Sequence, residues 1–237
     1  MWQRFRVDRA LGALYLAFFA AGCGRQAPAL VPAAAAPVSA GQVRGWVEAT
    51  RPTGYVLHRF KWLLRDERSS AGGSGSARLA APDSLRFDVR GPLGAGAAAA
   101  VVIGDSALWT EPENAIDRLV PSYPLMWAMF GVARLPSDRS ELRGLQEGAT
   151  TMWQYASGAD TVEYLRATGD RPRLVAEVRR AGKVVGRAET ELSGDGDPLR
   201  SRLVVPSVPA RLDITFDSSS VSGGFPAKIW FPPERHP

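Results

Sequence analysis

The sequence predicts an α+β domain: a curved antiparallel β-sheet of about ten strands with helices covering its concave face. Three observations predict it. From residue 55 onward, apolar residues recur at every second position in short runs, the period of a strand with one buried face. The runs are joined by a few Gly, Asp or Pro residues, too short for parallel crossovers, so the strands pair antiparallel. Once, over residues 113–135, the period changes to helical spacing and then to an almost unbroken apolar run, as expected of helices laid over a sheet.

Ahead of the domain the chain reads MWQRFRVDR, with Arg4, Arg6 and Arg9 against Asp8, and then thirteen uncharged residues, Ala10 to Gly22. That run is shorter than the roughly 20 residues a membrane-spanning helix needs. It has the length of the apolar region of a signal peptide. Its end, Ala20-Ala21-Gly22-Cys23, resembles the bacterial lipobox, with alanine in place of the commoner leucine. Residues 1–22 therefore read as a lipoprotein signal peptide. Cys23 reads as the lipid-modified first residue of a mature chain that is anchored to a membrane without spanning it. The alternative is a plain secretory signal followed by an incidental cysteine. Gly24 is not the aspartate associated with inner-membrane retention, which points to the periplasmic face of the outer membrane. Residues 23–40 contain the Ala/Pro tract GRQAPALVPAAAAPV. They read as an extended tether of at most about 45 Å.

Residues 41–232 form the domain, and 233–237 a tail. Ser39 with Gln42 is a capping-box pattern, and Val43, Trp46 and Val47 then share a helical face that ends near Arg51-Pro52. From Tyr55 to Arg65, Val56, His58, Phe60, Trp62 and Leu64 alternate with a mixed face. Gly72-Gly73-Ser74-Gly75 reads as a turn before a short strand near Ala77 to Ala81. Leu85, Phe87 and Val89 form the next strand, which Gly91-Pro92-Leu93-Gly94 breaks. Strands follow at Ala98 to Ile103 and Ala107 to Thr110. Two short helices are expected over residues 113–135, interrupted by Pro121 and Pro124, with Leu142 and Leu145 continuing that region. Then come strands around Val162 and Tyr164, around Leu174, Ala176 and Val178, and around Val184, Ala188 and Leu192. Leu203 and Val205 mark another, Ala210 to Phe216 another, and Ala227 to Phe231 the last.

Composition narrows the chemistry. Without residues 1–22 the chain holds 26 basic and 23 acidic residues, a balance of +3. This is too mild to suggest a nucleic-acid partner. Cys23 is the only cysteine, so no intrachain disulfide forms and thiol catalysis is excluded if the thiol is lipidated. Only His58 and His236 are available as histidines, and no zinc set or nucleophile elbow is present. His58, on an apolar strand face, reads as a satisfied core or pocket histidine. The Gly-rich stretch 71–76 lacks the Lys-Ser/Thr of a phosphate loop. No metal, no cofactor and no enzymatic activity are expected.

Two stretches resemble the LolB family of outer-membrane lipoprotein receptors. One is Phe60-Lys61-Trp62 through Leu85-Arg86-Phe87-Asp88-Val89 to Gly91-Pro92-Leu93-Gly94. The other is Tyr123-Pro124-Leu125-Met126-Trp127-Ala128-Met129-Phe130-Gly131. The resemblance implies an incomplete barrel with a helical lid and an apolar cavity that accepts acyl chains. Phe60, Trp62, Phe87, Leu125, Trp127, Met129 and Phe130 would line that cavity or its lid. It implies that Pro92, Leu93 and Gly94 form a loop that touches the membrane during cargo insertion. The bland alternatives are an ordinary filled core and a buried turn leucine.

The leading functional reading is a monomeric lipoprotein that binds acyl chains. It would receive lipoproteins from a soluble LolA-like carrier and insert them into the outer membrane. The alternative is an envelope scaffold or sensor lipoprotein of the same fold, without lipid transfer. A connected apolar cavity beneath residues 113–135 favours the first, and a filled core the second. An enzyme would need a polar pocket around His58.

Overall fold

The structure, a computed structural model, describes residues 28–92, 96–112, 120–136 and 140–232. A two-residue strand β1 (Ala36–Pro37) and helix α1 (Ala40–Glu48) precede five strands: β2 (Tyr55–Arg65), β3 (Ser70–Ala80), β4 (Ser84–Arg90), β5 (Ala97–Ile103) and β6 (Ser106–Glu111). Helix α2 (Tyr123–Ala128) follows. Then come β7 (Leu142–Glu147), β8 (Thr150–Ser157), β9 (Asp160–Ala167), β10 (Arg173–Arg180), β11 (Lys183–Leu192), β12 (Pro198–Val205) and β13 (Ala210–Ser222). All thirteen strands form one sheet in the order β1-β7-β8-β9-β10-β11-β12-β13-β2-β3-β4-β5-β6. The ends β1 and β6 do not pair, so the barrel stays open. A sheet this wide has to curl to bury one face.

The alternation read from the sequence sets the register. Trp153, Tyr164, Ala176, Ala188, Leu203, Leu212, Leu64 and Ala71 are successive cross-strand partners from β8 to β3. Register partners share a face, so this apolar row lines the concave side. A slip of one residue would turn it to solvent. Helix α1 forms where expected: Ser39 Oγ accepts from Gln42 N at 3.2 Å, and Val43 and Val47 are fully buried.

Several expectations need correction. Among the described residues there are thirteen strands, not about ten. Gly72-Gly73-Ser74-Gly75 is not a turn but the middle of β3, which runs unbroken into the segment read as a separate strand. The turn lies earlier, where the Asp66 carboxylate accepts from Arg68 N and Ser69 N at 2.7 and 2.6 Å. Gly75 makes room for an aromatic ring and Gly73 for a neighbouring backbone carbonyl. A Cβ on Gly75 would lie 2.4 Å from the Phe60 ring, and one on Gly73 would lie 1.9 Å from Arg90 O.

Leu142 and Leu145 belong to strand β7, because six register partners on β8 override the weak helical spacing of two leucines. Residues 227–231 add no strand, since β13 is already flanked by β12 and β2. Ala227–Trp230 is a 3₁₀ turn on the convex side, where Arg86 Nη1 donates to Ile229 O and Trp109 Nε1 to Trp230 O. Of the two helices expected over 113–135, α2 is present and residues 113–119 lie outside the described residues. The tract read as tether is packed from Pro28 on: Val31 and Ala35 are each 2% exposed, and Ala36–Pro37 pair with β7.

The buried hydrophobic residues lie between Val31 and Ile214, so a chain starting at Cys23 holds the whole described fold. The glycine argument predicts that Gly75→Val destabilises the domain by about 2–3 kcal/mol through overpacking. Gly45→Ala, in an exposed helix turn with open space at the Cβ position, is expected to stabilise it by about 0.5–1 kcal/mol. Urea unfolding of both variants checks the pair.

Candidate functional site

The concave face is covered by residues 120–136. Pro121 and Pro124 keep this segment from starting as a longer helix. Pro124 stands in the first turn of α2, where a missing N–H costs nothing. The helix ends at Ala128, and in the turn that follows Gly131 takes a positive φ of 77°. Gly131 N then bonds Ala128 O at 3.0 Å and Val132 N bonds Trp127 O at 3.2 Å. Beyond it the chain is irregular yet buried through Arg134, so its backbone groups need partners from elsewhere.

Those partners form a set of fastenings. Thr190 Oγ1 donates to Ala128 O at 2.7 Å, and Thr50 Oγ1 accepts from Ala133 N at 2.9 Å. Tyr164 Oη accepts from Arg134 N at 3.1 Å, and Tyr123 Oη accepts from Ala107 N at 3.1 Å. Trp127 Nε1 donates to Gly104 O at 2.8 Å. The Arg134 guanidinium lies 5.0 Å from the Trp127 ring and 3.4 Å from the Asp105 carboxylate.

Between these fastenings sits an aromatic cluster. Phe130 reaches down from the lid, with ring centroids 6.2 Å from Phe60, 5.9 Å from Phe87, 6.1 Å from Phe216 and 6.4 Å from His58. Of the residues expected in the site, Phe60, Phe87, Leu125, Trp127, Met129 and Phe130 are all buried in one core. Trp62 is half-buried at the margin, its Nε1 donating to Ser74 O and Arg90 O at 3.2 Å each. Pro92 is exposed at the end of β4. Cys23, Leu93 and Gly94 lie outside the described residues.

Sequence reasoning missed Phe216, whose position opposite Phe60 appears only once β13 pairs with β2. It also missed a second aromatic group, in which Trp153 stacks on Tyr164 at 5.0 Å and Trp46 lies tilted against Trp153 at 5.9 Å. The alternation in β8 and β9 held its only signal.

His58 is 2% exposed, with Nδ1 2.8 Å from Ser219 Oγ. Burial lowers its pKa to about 4, so the ring is neutral at pH 7. Burial likewise pushes the Tyr155 and Tyr164 hydroxyls up, so both stay protonated hydrogen-bonding groups.

The lid residues from Leu125 to Phe130 and the Phe60 and Phe87 rings beneath them are each no more than 7% exposed, so this part of the concave face is filled. A cavity of about 370 Å³ opens at its flank, between Val120–Pro124 and Tyr155, Asp160 and Val162. A larger one of about 890 Å³ lies on the convex side under Lys228 and Ile229, among arginines of β2, β3 and β4. Among the described residues no group of three or more His, Cys, Asp or Glu is placed to hold a metal. No helix there is long and apolar enough to cross a membrane.

Solved structures share this fold. A LolA superfamily protein from Nitrosomonas europaea superposes with a TM-score of 0.56 at 12% identity, covering 82% of this chain and 98% of its own. An outer membrane lipoprotein-sorting protein domain from Vibrio parahaemolyticus gives 0.54 at 11% identity, covering 80% and 94%. A DUF1329 family protein from Desulfovibrio piger gives 0.51 at 9%, covering 82% and 97%. The fold is LolA-like. No family model and no curated protein sequence matches the chain.

In this LolA-like sheet, His58 ties stability to pH. The unfolded chain takes up a proton near the ordinary value of 6.5, whereas the folded chain resists until about pH 4. The unfolded state therefore binds more protons within that window. The contribution is complete above pH 6.5 and lost as pH falls, by about 3 kcal/mol at pH 4. Urea unfolding from pH 7 to 4 should show wild type losing that much more stability than His58→Gln. Equal losses would contradict a buried neutral imidazole.

Proposed function

We propose that this protein is a lipid-anchored envelope protein, lipidated at Cys23, that takes acyl chains between its concave sheet face and the segment 120–136. Export and lipidation rest on residues 1–23, and the finer assignment to LolB-like receptors rests on the resemblance of residues 60–94 and 123–131. The reading needs no cofactor and no covalent chemistry.

The observation that carries it is the composition of the lid. Leu125, Met126, Met129 and Phe130 are each no more than 2% exposed. They plug the concave face from a segment whose only regular element is six residues long. Burying such side chains stabilises by about 1.5–3 kcal/mol each, on the order of 8 kcal/mol for the four. A long acyl chain leaving water gains about 0.8 kcal/mol per CH₂, on the order of 10 kcal/mol in all. Exchange of lid for ligand is therefore close to balanced, as transfer requires. Methionine and aromatic side chains suit acyl chains of varying length. The cavity at Val120–Pro124 is where a chain would start to lift the lid.

A second reading, an envelope scaffold or sensor without lipid transfer, is favoured by the filled concave face. Binding tests separate the two. In the acyl-binding reading the closed lid lowers apparent affinity by the fraction of open molecules. Removing a fastening such as Thr190–Ala128 costs the lid about 1–2 kcal/mol. Thr190→Val should then bind a fluorescent long-chain fatty acid roughly tenfold more tightly than wild type, although it is less stable. Leu93→Glu should bind the probe normally but deliver it to vesicles more slowly. Absence of saturable binding in both wild type and Thr190→Val would sink the acyl-binding reading.

A further inference from the structure

The face of the sheet opposite the lid carries a buried charge network. Glu163 on β9 and Glu177 and Arg179 on β10 are 3%, 1% and 8% exposed. Arg179 pairs with Glu163 at 3.5 Å and with Glu177, and Arg187 pairs with Glu177 at 3.3 Å. Strands on the outer face of an open sheet do not bury three charges unaided. The N-terminal segment lies over them. Glu163 Oε2 accepts from Leu30 N at 2.7 Å and from Val31 N at 3.5 Å, and Arg179 Nη2 donates to Pro28 O at 3.2 Å. From there the chain pairs Ala36 with Gly144 at the sheet edge, Val38 N bonds Leu142 O at 3.0 Å, and Ser39 caps α1. Every few residues from 28 to 39 are thus held, by a buried ion network, an edge strand and a helix cap.

We propose that residues 28–38 are a strap that fixes which end of the domain faces the membrane, and that the anchored protein stands on the rim carrying the β10–β11 turn. This rests on the reading of Cys23 as the lipidated residue. Two observations give the orientation. Arg179 bonds Gly182 O through Nη1 at 3.1 Å while it holds Pro28 O, so the chain enters the domain beside the β10–β11 turn. From Cys23 to Pro28 there are five Cα steps, about 17 Å at full extension, against the 45 Å of a free tether. The pairs Arg180–Lys183, Val205–Ala210 and Arg65–Ser70 put the β10–β11, β12–β13 and β2–β3 turns at one end of the sheet.

That rim fits a bilayer with anionic headgroups. It presents Arg65, Arg68, Arg180, Lys183, Arg202 and Arg211 against Asp66, Glu67, Asp160 and Asp213, an excess of two positive charges, with Val208 56% exposed at the β12–β13 turn. Basic side chains held within a Debye length of such a surface are attracted to it.

The test uses residues 23–237, with Cys23 coupled through its thiol to a maleimide lipid. The vesicles are phosphatidylcholine with some phosphatidylglycerol and a gadolinium-chelating lipid. Backbone amide signals of residues 66–69, 181–182 and 207–208 should broaden strongly, and those of Gly104, Gly148 and Gly169 at the opposite rim weakly. In the Glu163→Gln/Arg179→Met variant, broadening should even out between the rims. Its Leu30 and Val31 amides should exchange on the order of 100-fold faster than in wild type. Even broadening in wild type, or unprotected Leu30 and Val31 amides in wild type, would overturn the strap. Chemical coupling bypasses the cell's own lipid modification. If protein from membranes lacks a diacylglyceryl mass at Cys23, the lipidation reading fails while the coupled-protein result stands.

Discussion

An antiparallel sheet that stays open must bury its apolar face with some other part of the chain, and here little chain is available for it. Thirteen strands curl around a face lined from Trp153 to Phe87. Among the described residues, α1 and segment 120–136 lie on it. So small a cover has to be dense in large side chains, and it is: Leu125, Met126, Trp127, Met129 and Phe130 are consecutive or nearly so, and all are buried. The cover is mostly irregular, so its backbone polar groups draw on Thr190, Thr50 and Tyr164. An irregular plug with hydrogen-bonded margins can open by breaking a few specific bonds, whereas a long packed helix would have to leave as a unit.

The opposite face works by different physics. It is ionic, with Asp88 held by Arg78 and Arg86, and Asp213 by Arg65, Arg202 and Arg211. Surface pairs of this kind contribute little each. The Glu163–Glu177–Arg179 group differs because chain covers it. Losing one partner there would strand a buried charge, which typically costs several kcal/mol. The two faces thus divide the work: one holds an apolar plug, the other holds the chain that leads from the N-terminus.

Much of the fold was legible in the sequence because strand alternation and helix capping are local signals. Tyr55–Arg65 and the capped helix at Ser39 came out as read. Phe60, Phe87 and Phe130 sit at apolar positions of the sheet and lid, and their rings meet. The failures have a common cause in non-local partners. A glycine tract reads as a turn unless one knows that Phe60 and Trp62 stand on the neighbouring strand. Leu142–Glu147 reads as helix until β8 supplies its register. The Ala/Pro tract reads as tether until Glu163 and Arg179, more than a hundred residues away, bind its backbone. Phe216 completes the aromatic cluster through a pairing that brings the two ends of the domain together. Shared architecture at 9–12% identity with its structural neighbours fits this: the fold is carried by pattern and register more than by particular residues.

The central claim is that the plugged concave face exchanges its own side chains for an acyl chain. Native mass spectrometry of residues 23–237 carrying Cys23→Ser, purified from cells and then incubated with lysophospholipid, tests it most directly. The account predicts a population carrying one acyl-bearing lipid that is released on denaturation. A polypeptide that keeps its bare mass both as purified and after incubation would contradict it.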